Sequence, residues 1–132
     1  FSNIYNPQLA IRVLKTLHDK GMNASLCMVG PDSDGSLKEV KQLVSDLNVS
    51  VRFTGKLTKA KWRTLAKDYN IFINTTNFDN MPVSVLEAMA LGMPIVSTNA
   101  GGWAYSGFVL RCPDSYCGDE NGEGPGLCAT WL

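Results

Sequence analysis

The chain has 132 residues, 45% of them hydrophobic and 18% charged, with 12 basic and 12 acidic side chains that cancel. That describes one ordinary globular domain with a single core. The balanced charge gives no reason to expect nucleic acid or an anionic membrane surface as partner, and no apolar run approaches the length of a transmembrane helix.

Four cysteines, Cys27, Cys112, Cys117 and Cys128, are too few and too unevenly placed for a secreted disulfide scaffold. The sequons at Asn23, Asn48 and Asn74 read as chance matches, and a cytoplasmic location is expected. The chain starts at Phe1 and reads as a fragment of a longer protein.

From the N-terminus, "NPQLAIRVLKTLHDKG" predicts a helix with Asn6 as N-cap, Pro7 at the first helical position and Gly21 at its end. Ala10, Val13, Leu14 and Leu17 form its apolar stripe. "SLCMVG" reads as a buried strand. Val40, Leu43, Val44 and Leu47 then recur at the spacing of an amphipathic helix. "VSVRFTG" alternates as a strand does. Thr58 caps a helix whose inner face is Trp62, Leu65, Ala66 and Tyr69. "IFINT" is the next strand, followed by the polar loop "TNFDNM". Pro82 starts the helix "PVSVLEAMALG", Gly92 and Pro94 stop it, and "PIVST" is a last short strand.

Helices alternating with strands imply right-handed crossovers and a parallel sheet covered by helices, a Rossmann-like α/β layer. The pattern begins with a helix, so the strand that should feed it is expected upstream. Residues 1–102 form the expected domain. From Trp103 the composition changes: three of the four cysteines, one basic residue and the run "GDENGEGPG" stand without helical period, and 103–132 is expected to be an irregular, poorly packed tail.

Between Asn80 and Leu110 the only charged residue is Glu87. A carboxylate among Val, Leu, Ala and Met either reaches solvent or faces something that regularly occupies the space before it. In an open parallel sheet, ligands sit beyond the carboxyl ends of the strands and against the N-termini of the following helices. The loop before Pro82 lies at such a place, and the helix start offers backbone N–H groups to an anion. Asp79 in the loop and Glu87 in the helix bracket that start. Two such carboxylates suit a ligand with an anionic middle and hydroxyls at both ends, as in a nucleotide sugar. The plainer reading, a solvated Glu on an Ala-rich helix, stands beside this one.

"FDNMPVSVLEAMALGMPIVSTNAGG" resembles the donor-binding segment of family 4 glycosyltransferases, the retaining GT-B enzymes, in which an acidic residue, seven intervening residues and "EAMA-x-G-x-P-V-V" are followed by "GG". "CMVGPDSDG", "VRFTGKLT" and "DYNIFINTT" resemble that family's C-terminal domain in the expected order. The resemblance covers about residues 1–102. It implies that Glu87 holds the donor ribose and that Asp79, one methylene shorter than the usual Glu, lies against the donor sugar. Both are the catalytic-site candidates. It further implies that Asn80, Met81, Pro82 and Val83 bring backbone amides to sugar and phosphate. Gly101 and Gly102 would let backbone approach the ligand. Gly30, and Lys56 in the turn Gly55–Leu57, would lie toward the nucleoside.

Some family features differ. The arginine usually supplied to the pyrophosphate would precede Phe1, and Tyr5 stands at the usual lysine position. Asn80 and Pro82 replace the usual glycines, and "WAYSG" follows "GG" in place of a proline and an acidic residue.

The resemblance implies transfer of a hexosyl group from a UDP-, GDP- or ADP-sugar to an acceptor hydroxyl, as in polysaccharide biosynthesis, with retention and without a metal or other cofactor. The acceptor would bind a missing N-terminal domain, so this chain alone is expected to be inactive. The full-length enzyme would be cytoplasmic or peripheral at the inner membrane. A nucleotide-sugar epimerase of the same fold remains an alternative, as does a non-catalytic or truncated nucleotide-sugar-binding module. His18, Trp62, Cys27 and the three late cysteines are read as structural, and no metal site is expected.

Overall fold

The computed structural model describes residues 3–32, 35–78 and 82–98, together with the backbone of 126–130. After one 3-10 turn, Asn3–Tyr5, the elements are α1 (Pro7–Asp19), β1 (Ser25–Val29), α2 (Leu37–Asp46), β2 (Val51–Gly55), α3 (Lys59–Ala66), β3 (Ile71–Asn74), α4 (Val83–Ala90), β4 (Ile95–Ser97) and β5 (Gly126–Thr130). The strands form one sheet in the order β2-β1-β5-β3-β4, and every adjacent pair is parallel. This is the α/β, Rossmann-like layer expected from the alternation of elements.

The strands bury both faces, so each alternate side chain belongs to a different core. Leu26 and Met28 of β1 and Ile73 of β3 meet Ala10, Ile11 and Leu14 of α1 and Val40 of α2. Cys27, Val29 and Phe72 point the other way and pack with Trp62 and Ala66 of α3, Val85 and Ala88 of α4, and Ile95 of β4. Trp62 is fully buried and meets Phe72 edge to face, with ring centroids 6.5 Å apart and planes at 84°.

Local signals account for most helix ends. The Thr58 hydroxyl accepts from the Lys61 amide at 3.3 Å, the side-chain cap expected for α3. Gly21, at φ +82°, takes the left-handed turn after α1, with its amide bonded to the His18 carbonyl. Asn6 precedes α1 as expected, but it adopts φ +46° and makes no side-chain cap. Its Nδ2 instead donates to Oδ1 of Asn77 at 3.2 Å. Ile11, beside the expected stripe of α1, is fully buried, while Val13 and Leu17 are half-buried at the margin of the core.

One strand departs from expectation. Gly126–Thr130 lies in the segment expected to be irregular, yet as β5 it occupies the middle of the sheet between β1 and β3. Leu26, Cys27 and Met28 pair in register with Leu127, Cys128 and Ala129, and Ile71, Phe72 and Ile73 pair with the same three residues from the other side. Apart from this strand, residues 103–132 lie outside the described residues, so the expected boundary at 102 is left as a sequence expectation.

Candidate functional site

The connectivity leaves a reversal in the middle of the sheet: β1 and β2 are laid down in one direction, then the chain crosses through α3 to build β3 and β4 in the other. Ligands of doubly wound sheets collect at such a reversal, beyond the carboxyl ends of the strands. Four segments lie at those ends: Gly30–Asp32 after β1, Lys56–Thr58 after β2, Thr75–Phe78 after β3, and Thr98 after β4.

Hydrogen bonds tie this rim together. The Gly30 amide donates to the Gly55 carbonyl at 3.1 Å, joining the turn after β1 to the one that carries Lys56. Gly55 has φ +70°, a backbone conformation that favours glycine. After β3, the buried Thr75 and Thr76 hydroxyls donate to the carbonyls of Tyr5 and Ile4 at 2.9 and 3.3 Å, and the Asn77 amide donates to Ile4 at 2.8 Å. The N-terminal 3-10 turn is thereby strapped to the loop leading toward α4. Buried Asn74 bonds the Ser97 hydroxyl at 3.1 Å, which links β3 to β4 below the loop.

At the start of α4, Pro82 occupies the N-cap, and its own side chain makes no cap hydrogen bond. Val85 and Leu86 donate their amides to the Pro82 carbonyl, and the amides of Val83 and Ser84 precede that ladder. Pro82 is buried, whereas Val83 is 58% exposed. Ser84, Val85 and Ala88 face inward.

Glu87 is the informative side chain. It is only 17% exposed, and its Oε1 accepts from the Lys59 ammonium at 2.7 Å. Its Oε2 is closed to solvent and has no hydrogen-bond partner among the described residues. The exchange is unfavourable on its own. A pair with so exposed a lysine contributes roughly 0–1 kcal/mol, while a buried acceptor left unsatisfied costs roughly 1–3 kcal/mol.

The structure thus gathers Glu87 and the α4 N-terminus on one helix, and Gly30 and the Lys56 turn on the neighbouring strand ends. Lys56 is exposed. Asp79, Asn80, Met81, Gly101 and Gly102 lie outside the described residues. Lys59 was not among the sequence candidates: its partner is 28 positions away on another helix, and only the packing of α3 beside α4 brings them together.

The remaining chemistry-bearing side chains are accounted for structurally. His18 Nε2 lies 2.7 Å from the Ala24 carbonyl, which fixes it as the protonated nitrogen. Burial raises the pKa of the Cys27 thiol, and a hydrogen bond with Tyr69 accompanies it. Tyr69 is pushed up to about 12, first by burial and then by that hydrogen bond. Among the described residues no cluster of potential metal ligands occurs, and no helix is long and apolar enough to cross a membrane. A groove of about 620 Å³ between β2 and α3 is lined by Arg52, Thr54, Leu57, Lys61, Thr64 and Asp68 among others, and does not include Glu87.

Against known families, the Glycosyl transferases group 1 family matches residues 1–114, nearly the whole chain. This chain belongs to that family. An uncharacterized glycosyltransferase of Methanocaldococcus jannaschii is 33% identical over 92 residues, covering 67% of this chain and 21% of the relative. The matched segment therefore spans about a fifth of the length of this relative. No solved structure matches it significantly. The matched span contains both the rim and Glu87, so the group 1 assignment and the geometry concern the same part of the molecule.

Proposed function

We propose that this chain is the donor-binding half of a retaining glycosyltransferase of GT-B architecture, taking a UDP-, GDP- or ADP-sugar at the carboxyl ends of its strands. The observation that carries the proposal is the Glu87 carboxylate, only 17% exposed and, among the described residues, held by the Lys59 ammonium alone, one and a half turns into the helix that starts after Pro82. A ribose hydroxyl is a donor that this carboxylate can accept, and a charged acceptor makes the stronger kind of hydrogen bond. The pyrophosphate then falls toward the first-turn amides of α4, where dipole and N–H groups both favour an anion. Asp79, Asn80 and Met81 would serve the sugar end, and Gly30 and Lys56 the nucleoside end.

In the whole protein, transfer to an acceptor hydroxyl would need a second domain facing this rim. Phe78, Val83 and Leu86 support that arrangement, because they leave apolar surface 71%, 58% and 44% exposed around the start of α4. On this reading the protein contributes positioning and charge stabilisation, and no metal takes part.

Calorimetric titration of the chain with UDP-, GDP- and ADP-sugars tests the proposal. Saturable heat with one base, unchanged by EDTA, is the expected outcome. Absence of heat and of any thermal shift with all three at millimolar concentration would overturn it.

A further inference from the structure

In a doubly wound sheet the two halves meet at the strand that comes first in the chain, and that strand leads into the first helix. Here the order is β2-β1-β5-β3-β4, so the last strand in sequence holds the place of the first. The helices follow the same plan. α1 packs with α2 against one face of the sheet, while α3 and α4 pack against the other. The step β1–α2–β2 moves outward from the middle with its helix on the first face. A right-handed crossover from the β5 position to β1 moves in the same direction, so its helix belongs on that face too. α1 lies there, immediately before β1 in sequence, on the path of a crossover that the chain does not make.

The ends meet as well. β5 runs parallel to β3 with Ala129 opposite Ile73, so its carboxyl end reaches the rim where β3 ends. The turn before α1 is strapped to that rim, the Tyr5 carbonyl accepting from the Thr75 hydroxyl. Residues 131 and 132 followed by 1 and 2 would join Thr130 to Asn3. That is the usual length of a strand-to-helix loop, about 2–6 residues. The route the chain takes to β5 runs instead from β4 through residues 98–125.

We infer that the gap between β1 and β3 is a seat for an apolar parallel strand continuous with α1, and that β5 is a replaceable occupant of it. β1 and β3 each pair with β5 along their inner edges. An empty seat would leave those backbone N–H and C=O groups unpaired in the middle of the sheet. Its walls are Leu26, Cys27 and Met28 on one side and Phe72 and Ile73 on the other, all buried, which selects an apolar strand. Between two strands of one sequence, the one with the shorter connection has the smaller closure cost. A strand joined directly ahead of Phe1 therefore displaces β5. This holds whether or not the rim binds a nucleotide sugar.

The test adds a second copy of residues 122–132 directly ahead of Phe1 in the otherwise intact chain. The two copies share one sequence and differ in their connection, and hydrogen exchange read by mass spectrometry separates them by their flanking residues. The added copy should become protected together with β1 and β3, and the original 126–130 should exchange about tenfold faster than in the parent. Leu127→Asp in the added copy should return protection to the original, because a charge is costly in a strand whose neighbours are buried on both faces. An original copy that stays protected while the added one exchanges freely would overturn the inference. Protection of both copies would overturn it too, since the added strand would then have paired elsewhere. A permuted chain, with residues 122–132 moved ahead of Phe1 and its end at Asn121, gives a second measurement. It should melt no lower than the parent, and an unfolded or less stable permutant would also overturn the inference.

Discussion

Thr75 donates its hydroxyl to the carbonyl of Tyr5 at 2.9 Å, joining the end of β3 to the turn before α1 across 70 positions of sequence. Thr75 is buried, so replacing it leaves a polar group uncompensated as well as removing one contact. Thr75→Val keeps the shape and should cost about 1–2 kcal/mol. In urea the midpoint should fall with an unchanged slope, and nucleoside diphosphate affinity should fall too, because the same loop leads into α4.

Trp62 fills the core between α3 and the sheet, and its contact with Phe72 is edge to face. Trp62→Ala should cost about 3–5 kcal/mol, a large share of the stability of a domain this size. Trp62→Phe should cost less, since it keeps an aromatic partner for Phe72 and removes an indole N–H that has no hydrogen-bond partner among the described residues. Equilibrium denaturation of the two variants ranks them.

Tyr69 and Cys27 give a pH dependence with a definite sign. Both hold their protons more tightly when folded, Tyr69 to about 12 against 10 and Cys27 above 9.0. Their contribution is fully present below the unfolded values. From pH 9 upward the unfolded chain binds fewer protons than the folded one, so stability falls as pH rises. Melting temperature should drop between pH 10 and 12, and Tyr69→Phe should flatten that drop relative to the parent.

Strand β5 predicts an effect opposite to the one its composition suggests. Lying between β1 and β3, it supplies backbone partners to both. Removing residues 126–132 should strip those bonds and destabilise the whole sheet, lowering the melting temperature by several degrees. Hydrogen exchange should show the amides of 127–129 protected together with those of β1 and β3. A truncated chain as stable as the parent would place β5 outside the folding unit.

The helices and four of the strands were legible because each carries its own signal. Thr58 caps α3 with its side chain, and Gly21 ends α1 with a positive φ, both local chemistry. β5 carries no comparable signal. "GLCAT" is a short run after "GEGPG", too brief for a period, and its place in the sheet is decided by register with Leu26–Met28 and Ile71–Ile73. The site divides in the same way. Glu87 stood out as a solitary charge, which is a property of the sequence. The bond from Lys59 and the unpartnered Oε2 depend on how α3 and α4 pack, which no spacing encodes.

The central claim is that Glu87 recognises a donor hydroxyl, and binding of UDP, GDP or ADP to Glu87→Gln tests it most directly. The amide is nearly isosteric but exchanges one acceptor oxygen for a donor and removes the charge. Loss of one charged hydrogen bond costs about 1.5–3 kcal/mol, a tenfold or greater loss of affinity, with the melting temperature little changed. Asp79→Asn should spare that affinity and alter turnover or sugar preference in the full-length enzyme. An unchanged dissociation constant for Glu87→Gln would contradict the account and return Glu87 to the status of a surface helix residue paired with a lysine.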